Sequence, residues 1–283
     1  MIAAAWLSLW QHLLPKNLVS AVVYRATRCR GTWLKRPLTH WFARAYRVDM
    51  NEAANADLDS YATFNDFFTR ELKPGARPID GGPNRIVAPA DGILTEFGTI
   101  DGDRLLQAKG IDYTLADLLG EDGAAVDALR GGSFFTIYLA PYDYHRVHAP
   151  LTAVLERTRY IPGERFSVSR ATAAVIKRLF CRNERAVCWF TGEHGPAAVV
   201  LVGALNVSSI STLTQGEIAS GPPRHWAESA PPPVAQGGEI GRFNMGSTVI
   251  VLLTGTVTWL AAATPGAKLR MGQALADFPT RRD

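Results

Sequence analysis

The stretch GRFNMGSTVIVLLTG, Gly241 to Gly255, sets Gly246-Ser247-Thr248 directly before the apolar run Val249 to Leu253. The run is strand-length, β-branched and bounded by glycine, so it reads as a strand with a small, polar start. A second reading is open from the same residues: a chain that cuts itself at that start. Working outward, the same texture repeats from Ile86 onward. RIVAPADGILTEFGTI, GSFFTIYLAP, AVLERTRYIPG, AVCWFTG and AAVVLVGALNVSSI are short apolar runs separated by Gly, Pro and Asp. YTLADLLG (Tyr113 to Gly120) and SRATAAVIKRLF (Ser169 to Phe180) read as helices, and RHWAESAPPPVAQGGE (Arg224 to Glu239) as a surface loop. The predicted class is α+β, a strand-rich domain over 76–283.

Ahead of it, residues 1–75 read as helical, punctuated by Pro15 and Pro37. DLDSYATFNDFFTREL (Asp57 to Leu72) has aromatics at 61, 64, 67 and 68, the spacing of one buried helix face. KPGARPIDGGPNR (Lys73 to Arg85) reads as the boundary loop. The first 48 residues carry eight Lys or Arg and no Asp or Glu, with four of the seven Trp: Trp6, Trp10, Trp33 and Trp41. The opening apolar run is broken at Gln11, His12 and Pro15, too short for a bilayer span of about 20 apolar residues. It lacks the layout of a cleaved signal. An amphipathic segment lying on an anionic membrane surface fits, with Trp and Leu at the acyl boundary. Lys16, Arg25, Arg28, Arg30, Lys35 and Arg36 would then face the head groups.

At 283 residues, 47% hydrophobic and 20% charged, the chain has an ordinary folded composition. The three cysteines, Cys29, Cys181 and Cys188, form no CxxC pair and point to a reducing compartment. No P-loop, dinucleotide fingerprint, metal-ligand spacing or nucleic-acid motif is present.

Three places offer reactive groups. APADG holds Asp91, YLAPYDYHRVHAP holds Asp143, His145 and His148, and Gly246-Ser247-Thr248 supplies a hydroxyl. Singly, each has an ordinary explanation: a turn aspartate, a structural histidine, an inert strand-edge serine outside a G-x-S-x-G elbow. Together, a hydroxyl, an imidazole base and an orienting carboxylate are the parts of an activated nucleophile. Spacing alone does not bring them together.

Almost the whole chain resembles the bacterial phosphatidylserine decarboxylases, pyruvoyl-dependent enzymes that process themselves. The likeness runs through YRVDM, SYATFNDFFTREL, RPID, APADG, YTLADLLG, DYHRVHAP, YIPGERFSVS, LFCRNERAV, LVGALNVSSI and GRFNMGSTVIVL. One departure is Met245, where the family commonly has Leu before Gly-Ser-Thr; the two are close in volume.

The resemblance implies that the Ser247 hydroxyl attacks the Gly246 carbonyl, giving an ester, with His148 as base and Asp91 orienting it. β-Elimination then yields a large chain, 1–246, and a small chain, 247–283, that stay associated. The small chain starts with a pyruvoyl group, which takes up phosphatidylserine as a Schiff base and acts as the electron sink for loss of carbon dioxide. His145 would return the proton, and phosphatidylethanolamine leaves. Phe166 and Ser167 of YIPGERFSVS would line the substrate site. The same resemblance implies a homodimer, peripheral on the cytoplasmic side of the inner membrane. Two other readings use the same residues without a cut: a membrane-associated Ser-His-Asp lipid hydrolase, and a non-catalytic β-rich binding module.

Overall fold

The Val249–Leu253 run is the inner part of the strand Ser247–Leu253, and all five of its side chains are fully buried. An unbroken apolar run is what a strand covered on both faces requires. Each such side chain contributes roughly 1.5–3 kcal/mol through burial. The computed structural model describes residues 15–108, 110–205, 209–245 and 247–280. The expectations for Trp6, Trp10 and Gly246 lie outside these residues, as does the side chain of Ser247.

Ser247–Leu253 lies inside a nine-stranded sheet. Its neighbours are Gly195–Val202 and Ser133–Leu139, both antiparallel. Beyond them lie Arg185–Gly192 and Ala153–Ile161 on one side, and Gly92–Thr99 on the other. A four-stranded sheet runs Gly216–Ile218, Ile210–Thr212, Glu239–Phe243, Arg146–His148. A small sheet joins Arg85–Val87 to Ala274–Asp277 and Thr258–Trp259. Strands therefore dominate the chain after residue 85, in an α+β arrangement.

At the other end, the described helices Lys16–Thr27 and Thr32–Ala45 precede a one-turn helix, Phe64–Phe68. The 57–72 segment is not one helix. Asn55 and Asp57 side chains accept backbone N–H groups two residues on, and these local bonds hold the chain in turns up to Thr63, which caps the short helix. The aromatics still meet. Phe42, Phe64, Phe67 and Phe68 form a second apolar cluster, against which Tyr61 and Met245 pack. Pro37 lies inside Thr32–Ala45 rather than between helices. The missing donor falls near the helix start, on its exposed side.

Other expectations also change. Ser169 to Phe180 forms two four-residue helices, Arg170–Ala173 and Leu179–Arg182, broken around Arg178 at φ +56. Tyr113 and Thr114 end a strand before the helix Leu115–Leu119. Within the supposed surface loop, Arg224–Ala227 and Pro233–Val234 pair with Ala153–Ile161 as edge strands. An edge tolerates proline because its outer donors need no partner.

Several N-terminal cations are engaged by the protein itself. Lys16 pairs with Glu164 and Arg28 with Glu217, while the exposed Arg36 pairs with Asp59. Lys35 is buried, donating to the carbonyls of Asp59 and Tyr61. Arg25 and Arg30 are exposed. Trp33 and Trp41 are 77% and 60% exposed, and they lie eight residues apart on one helix face with Pro37 between. Among the described residues no helix is long and apolar enough to cross a membrane.

Phe67 is fully buried in the aromatic cluster that ties this arm down. Phe67→Ala is expected to cost about 3–5 kcal/mol, read as a lowered free energy in denaturant unfolding. A loss under about 1 kcal/mol would show that the cluster does not hold the arm.

Candidate active site

The backbone brings three distant segments together. The N–H of His148 bonds the carbonyl of Pro89, just before Asp91. Glu239 is paired with His148 across the four-stranded sheet, and the Phe243 N–H bonds the carbonyl of His145. Strand Glu239–Phe243 then runs through Asn244 and Met245 towards residue 246. Ser247 begins the central strand opposite Leu139, where Ser133–Leu139 ends and the Ala140–Tyr144 turn begins. The strand start, both histidines and the Asp91 loop thus share one end of the sheet. Gly92 permits the last of these approaches, since a Cβ there would sit 2.4 Å from the Tyr138 carbonyl oxygen.

His148 Nδ1 is 2.8 Å from the Gly237 carbonyl oxygen, which can only accept, so Nδ1 carries the proton. Its Nε2 therefore presents a lone pair, 3.2 Å from the Tyr144 hydroxyl, which donates to it. Burial lowers the His148 pKa, against the opposing pull of the Gly237 carbonyl and of Glu239. The result is a neutral imidazole with its basic nitrogen fixed. Burial also pushes the Tyr144 hydroxyl up to about 12, so it stays a donor.

His145 is fully buried and stacked on Phe68, with ring centroids 4.1 Å apart. Neither ring nitrogen makes a hydrogen bond. Burial lowers its pKa to about 3, and the nearby positive charge of Arg70 adds to this. The carbonyls of Pro141 and Ala140 work in the opposite direction.

Asp91 sits in the fork of Arg77, with Nε 2.8 Å from Oδ1 and Nη2 2.5 Å from Oδ2. Its Oδ1 also accepts the Met271 N–H at 2.9 Å. Arg77 bonds Glu52 as well. Burial alone would lower the Arg77 pKa, but the bonds to Asp91 and Glu52 outweigh it and raise it. The resemblance gives Asp91 the orienting of His148. Among the described contacts, the Gly237 carbonyl holds that ring, and Asp91 is held by Arg77.

Met245 has φ +98, an uncommon conformation for a side chain of its size. The residue before it is clamped. Asn244 donates to the Ser209 and Ser211 hydroxyls and accepts from Asn65. Phe166 is fully buried between Lys16 and Arg182, which lie 3.6 and 4.5 Å from its ring centre. Its backbone N–H is held by Asn183. Ser167 is half-buried, its hydroxyl accepting from the Ser169 N–H. Val168 lines a cavity of about 170 Å³ together with Tyr138 and Thr248. A second cavity, of about 490 Å³, is walled by Arg70, Arg77, Asp91, Tyr144, Lys268 and neighbours. Among the described residues, no cluster of three or more His, Cys, Asp or Glu is placed to hold a metal ion.

Sequence reasoning missed Tyr144, Gly237, Arg77 and Arg70. Tyr144 adjoins His145 in the motif already singled out, and Arg70 and Arg77 lie in FTREL and GARPID. Gly237 sits in a Gly-Gly turn with no sign of a ligand role.

A family model described as phosphatidylserine decarboxylase matches residues 64–277. The chain belongs to the phosphatidylserine decarboxylase family. A second model, described as PSD, matches residues 7–47. The phosphatidylserine decarboxylase proenzyme of Ectopseudomonas mendocina (strain ymp) is 48% identical, covering 94% of this chain and 95% of that protein. That of Pseudomonas putida (strain GB-1) is 46% identical, covering 94% and 96%. The chain is thus a decarboxylase of phospholipid biosynthesis, of a kind made as a proenzyme.

The buried histidine makes the enzyme acid-sensitive. An unfolded histidine takes its proton near 6.5, whereas His145 in the fold does so only near 3. Between these values the unfolded chain binds more protons, so stability falls as pH drops, by up to about 1.4 kcal/mol per pH unit. Asp143, pushed up to about 6 by burial, acts with the opposite sign between about 4 and 6. Comparing wild type with His145→Gln cancels that contribution. Denaturant unfolding at several pH values is expected to show a flatter acid slope in the variant; equal slopes would place the His145 pKa near its ordinary value.

Proposed function

We propose that the chain is a self-processing precursor that cuts between Gly246 and Ser247 and then decarboxylates phosphatidylserine to phosphatidylethanolamine. The observation that carries this reading is the fixed tautomer of His148, on the strand paired with the approach to Gly246. Its Nε2 lone pair takes the Ser247 proton as the hydroxyl adds to the Gly246 carbonyl, forming an ester and freeing the amine. β-Elimination then releases the Gly246 carboxylate, and water replaces the nitrogen of the dehydroalanine, which leaves as ammonia. The left-handed backbone of Met245 supports the cut site, since such strain costs about 1–3 kcal/mol and is relieved when the chain opens. Asp91, gripped by Arg77, contributes a fixed negative charge that favours a protonated His148 during the transfer.

The residues at this end of the sheet fit a pyruvoyl group made from residue 247. Its backbone is tied to Leu139, and His145 and His148 follow on the turn and strand that lead away from Leu139. Once formed, that group supplies the electron sink for decarboxylation. His145 takes up a proton when the anionic substrate enters beside it, which raises its proton affinity, and returns that proton to the carbon that loses carbon dioxide. Phe166 and Ser167 precede Val168 at the smaller cavity and border the substrate. Residues 1–75 form the membrane-associating region and 76–283 the catalytic domain. Exposed Trp33, Trp41, Leu18 and Val22, with Arg25, Arg30 and Arg44, support peripheral attachment to an anionic surface, the cytoplasmic side of the inner membrane. A homodimer belongs to the same reading.

Intact mass under denaturing conditions tests it. Two pieces are expected, meeting between 246 and 247, the smaller one lighter than its sequence by one ammonia. Ser247→Ala and His148→Ala are expected to stay whole. His145→Ala is expected to be cut, with kcat for phosphatidylserine reduced about 10²–10⁴-fold. A single full-length wild-type chain that still releases carbon dioxide would overturn the mechanism.

A further inference from the structure

Arg70 is 6% exposed, and its Nε makes no hydrogen bond. Among the described residues no carboxylate pairs with it; its guanidinium carbon lies 5.6 Å from the Phe67 ring centre. Arg185 shows what this fold does with a buried guanidinium that has only a structural task. It donates to the carbonyls of Leu118, Cys181, Asn183 and Asp117. Burying a cation without such partners is costly, so it is retained where an anion arrives to complete it. Burial lowers the Arg70 pKa from its ordinary value, against the pull of Tyr61, Asp91 and Glu52, none of which bonds it.

Arg70 faces the 490 Å³ cavity between the N-terminal arm and the catalytic sheet. The other cations there are differently placed. Arg77 is taken by Asp91 and Glu52, and Arg270 by Glu52. Lys268 lies 5.6 Å from the Tyr142 ring centre. The cavity adjoins the reacting groups, since Tyr144 walls it and touches His148, while Phe68, two residues before Arg70, stacks on His145. Arg47, just after the helix that bears Trp33 and Trp41, also walls it.

We propose that Arg70 is the binding residue for the phosphodiester of the lipid head group, fixing the serine portion beside residue 247. This rests on the decarboxylase reading and adds a role to it. The head group has two anions, and chemistry chooses between them. A cation on the departing carboxylate would stabilise the ground state and oppose loss of carbon dioxide. A cation on the phosphodiester holds the substrate without touching the bond that breaks, and the planar guanidinium suits two phosphate oxygens.

The test uses the full-length chain. Intact mass first establishes that Arg70→Gln and Arg70→Lys are cut as wild type is. With short-chain phosphatidylserine, Arg70→Gln is expected to lower kcat/KM roughly 10- to 100-fold, chiefly through KM, and Arg70→Lys to recover part of the loss. A cut Arg70→Gln enzyme with unchanged KM overturns the proposal and leaves the decarboxylase reading intact. That reading fails separately, if wild type is neither cut nor active. Wild type alone supplies a second arm should the variants not fold. A short-chain phosphatidylmethanol, a phosphodiester without an amine, is expected to inhibit at least tenfold better than a diacylglycerol of equal chain length, and far better than inorganic phosphate. Equal inhibition by the two lipids, or by inorganic phosphate, overturns the proposal.

Discussion

The double ladder around Ser247–Leu253 is the constraint on which the rest depends. From Thr248 to Leu253 every residue is matched on one side to Gly195–Val202 and on the other to Ser133–Leu139. These bonds lie among fully buried side chains, where an unpaired amide would be costly. The strand therefore cannot shift register or leave without opening the core. Its first residue inherits that fixity, and so does the turn from Leu139 that carries Asp143 through His148. On the proposed cut, the same ladder keeps the two pieces together with no covalent link between them.

Around this fixed point the electrostatics are arranged by burial more than by pairing. His145 and His148 are both held neutral by loss of water, yet they differ in what they can do. His148 has one nitrogen committed to a carbonyl and the other held as an acceptor by the Tyr144 hydroxyl. His145 has neither committed and lies flat on Phe68. Two identical side chains three residues apart thus acquire different surroundings, and on the proposed mechanism separate tasks. The aromatic cluster joins the N-terminal arm to the site, for Phe68 belongs to one and touches the other.

Much of this was legible in the sequence. The central strand could be read because a β-branched run between glycines has few other outcomes. Asp91, His145, His148 and Ser247 could be read as candidates, since their residue types are those that acid–base and nucleophilic chemistry need. The helix expected over Asp57 to Leu72 failed for a local reason. The aromatic spacing was sound, but Asn55, Asp57 and Ser60 offered their backbone side-chain partners and kept it in turns. The grip of Arg77 on Asp91 was hidden, because a coil residue carries no periodicity that points to a partner 14 positions away. The role of the Gly237 carbonyl was hidden more deeply still, because a main-chain acceptor looks the same at every position. Met245 drew notice for its volume, whereas its backbone angle is what sets it apart.

The edges of the large sheet have a bearing on how copies of the enzyme meet. One edge is the two-residue strand Lys268–Leu269, and the other is split between Arg224–Ala227 and the proline-led Pro233–Val234. Short, interrupted edges make poor templates for another strand. A second copy therefore has little to gain by extending the sheet, and a pair would form through side-chain faces instead. At high local concentration the same edges guard against chain-to-chain stacking into fibres.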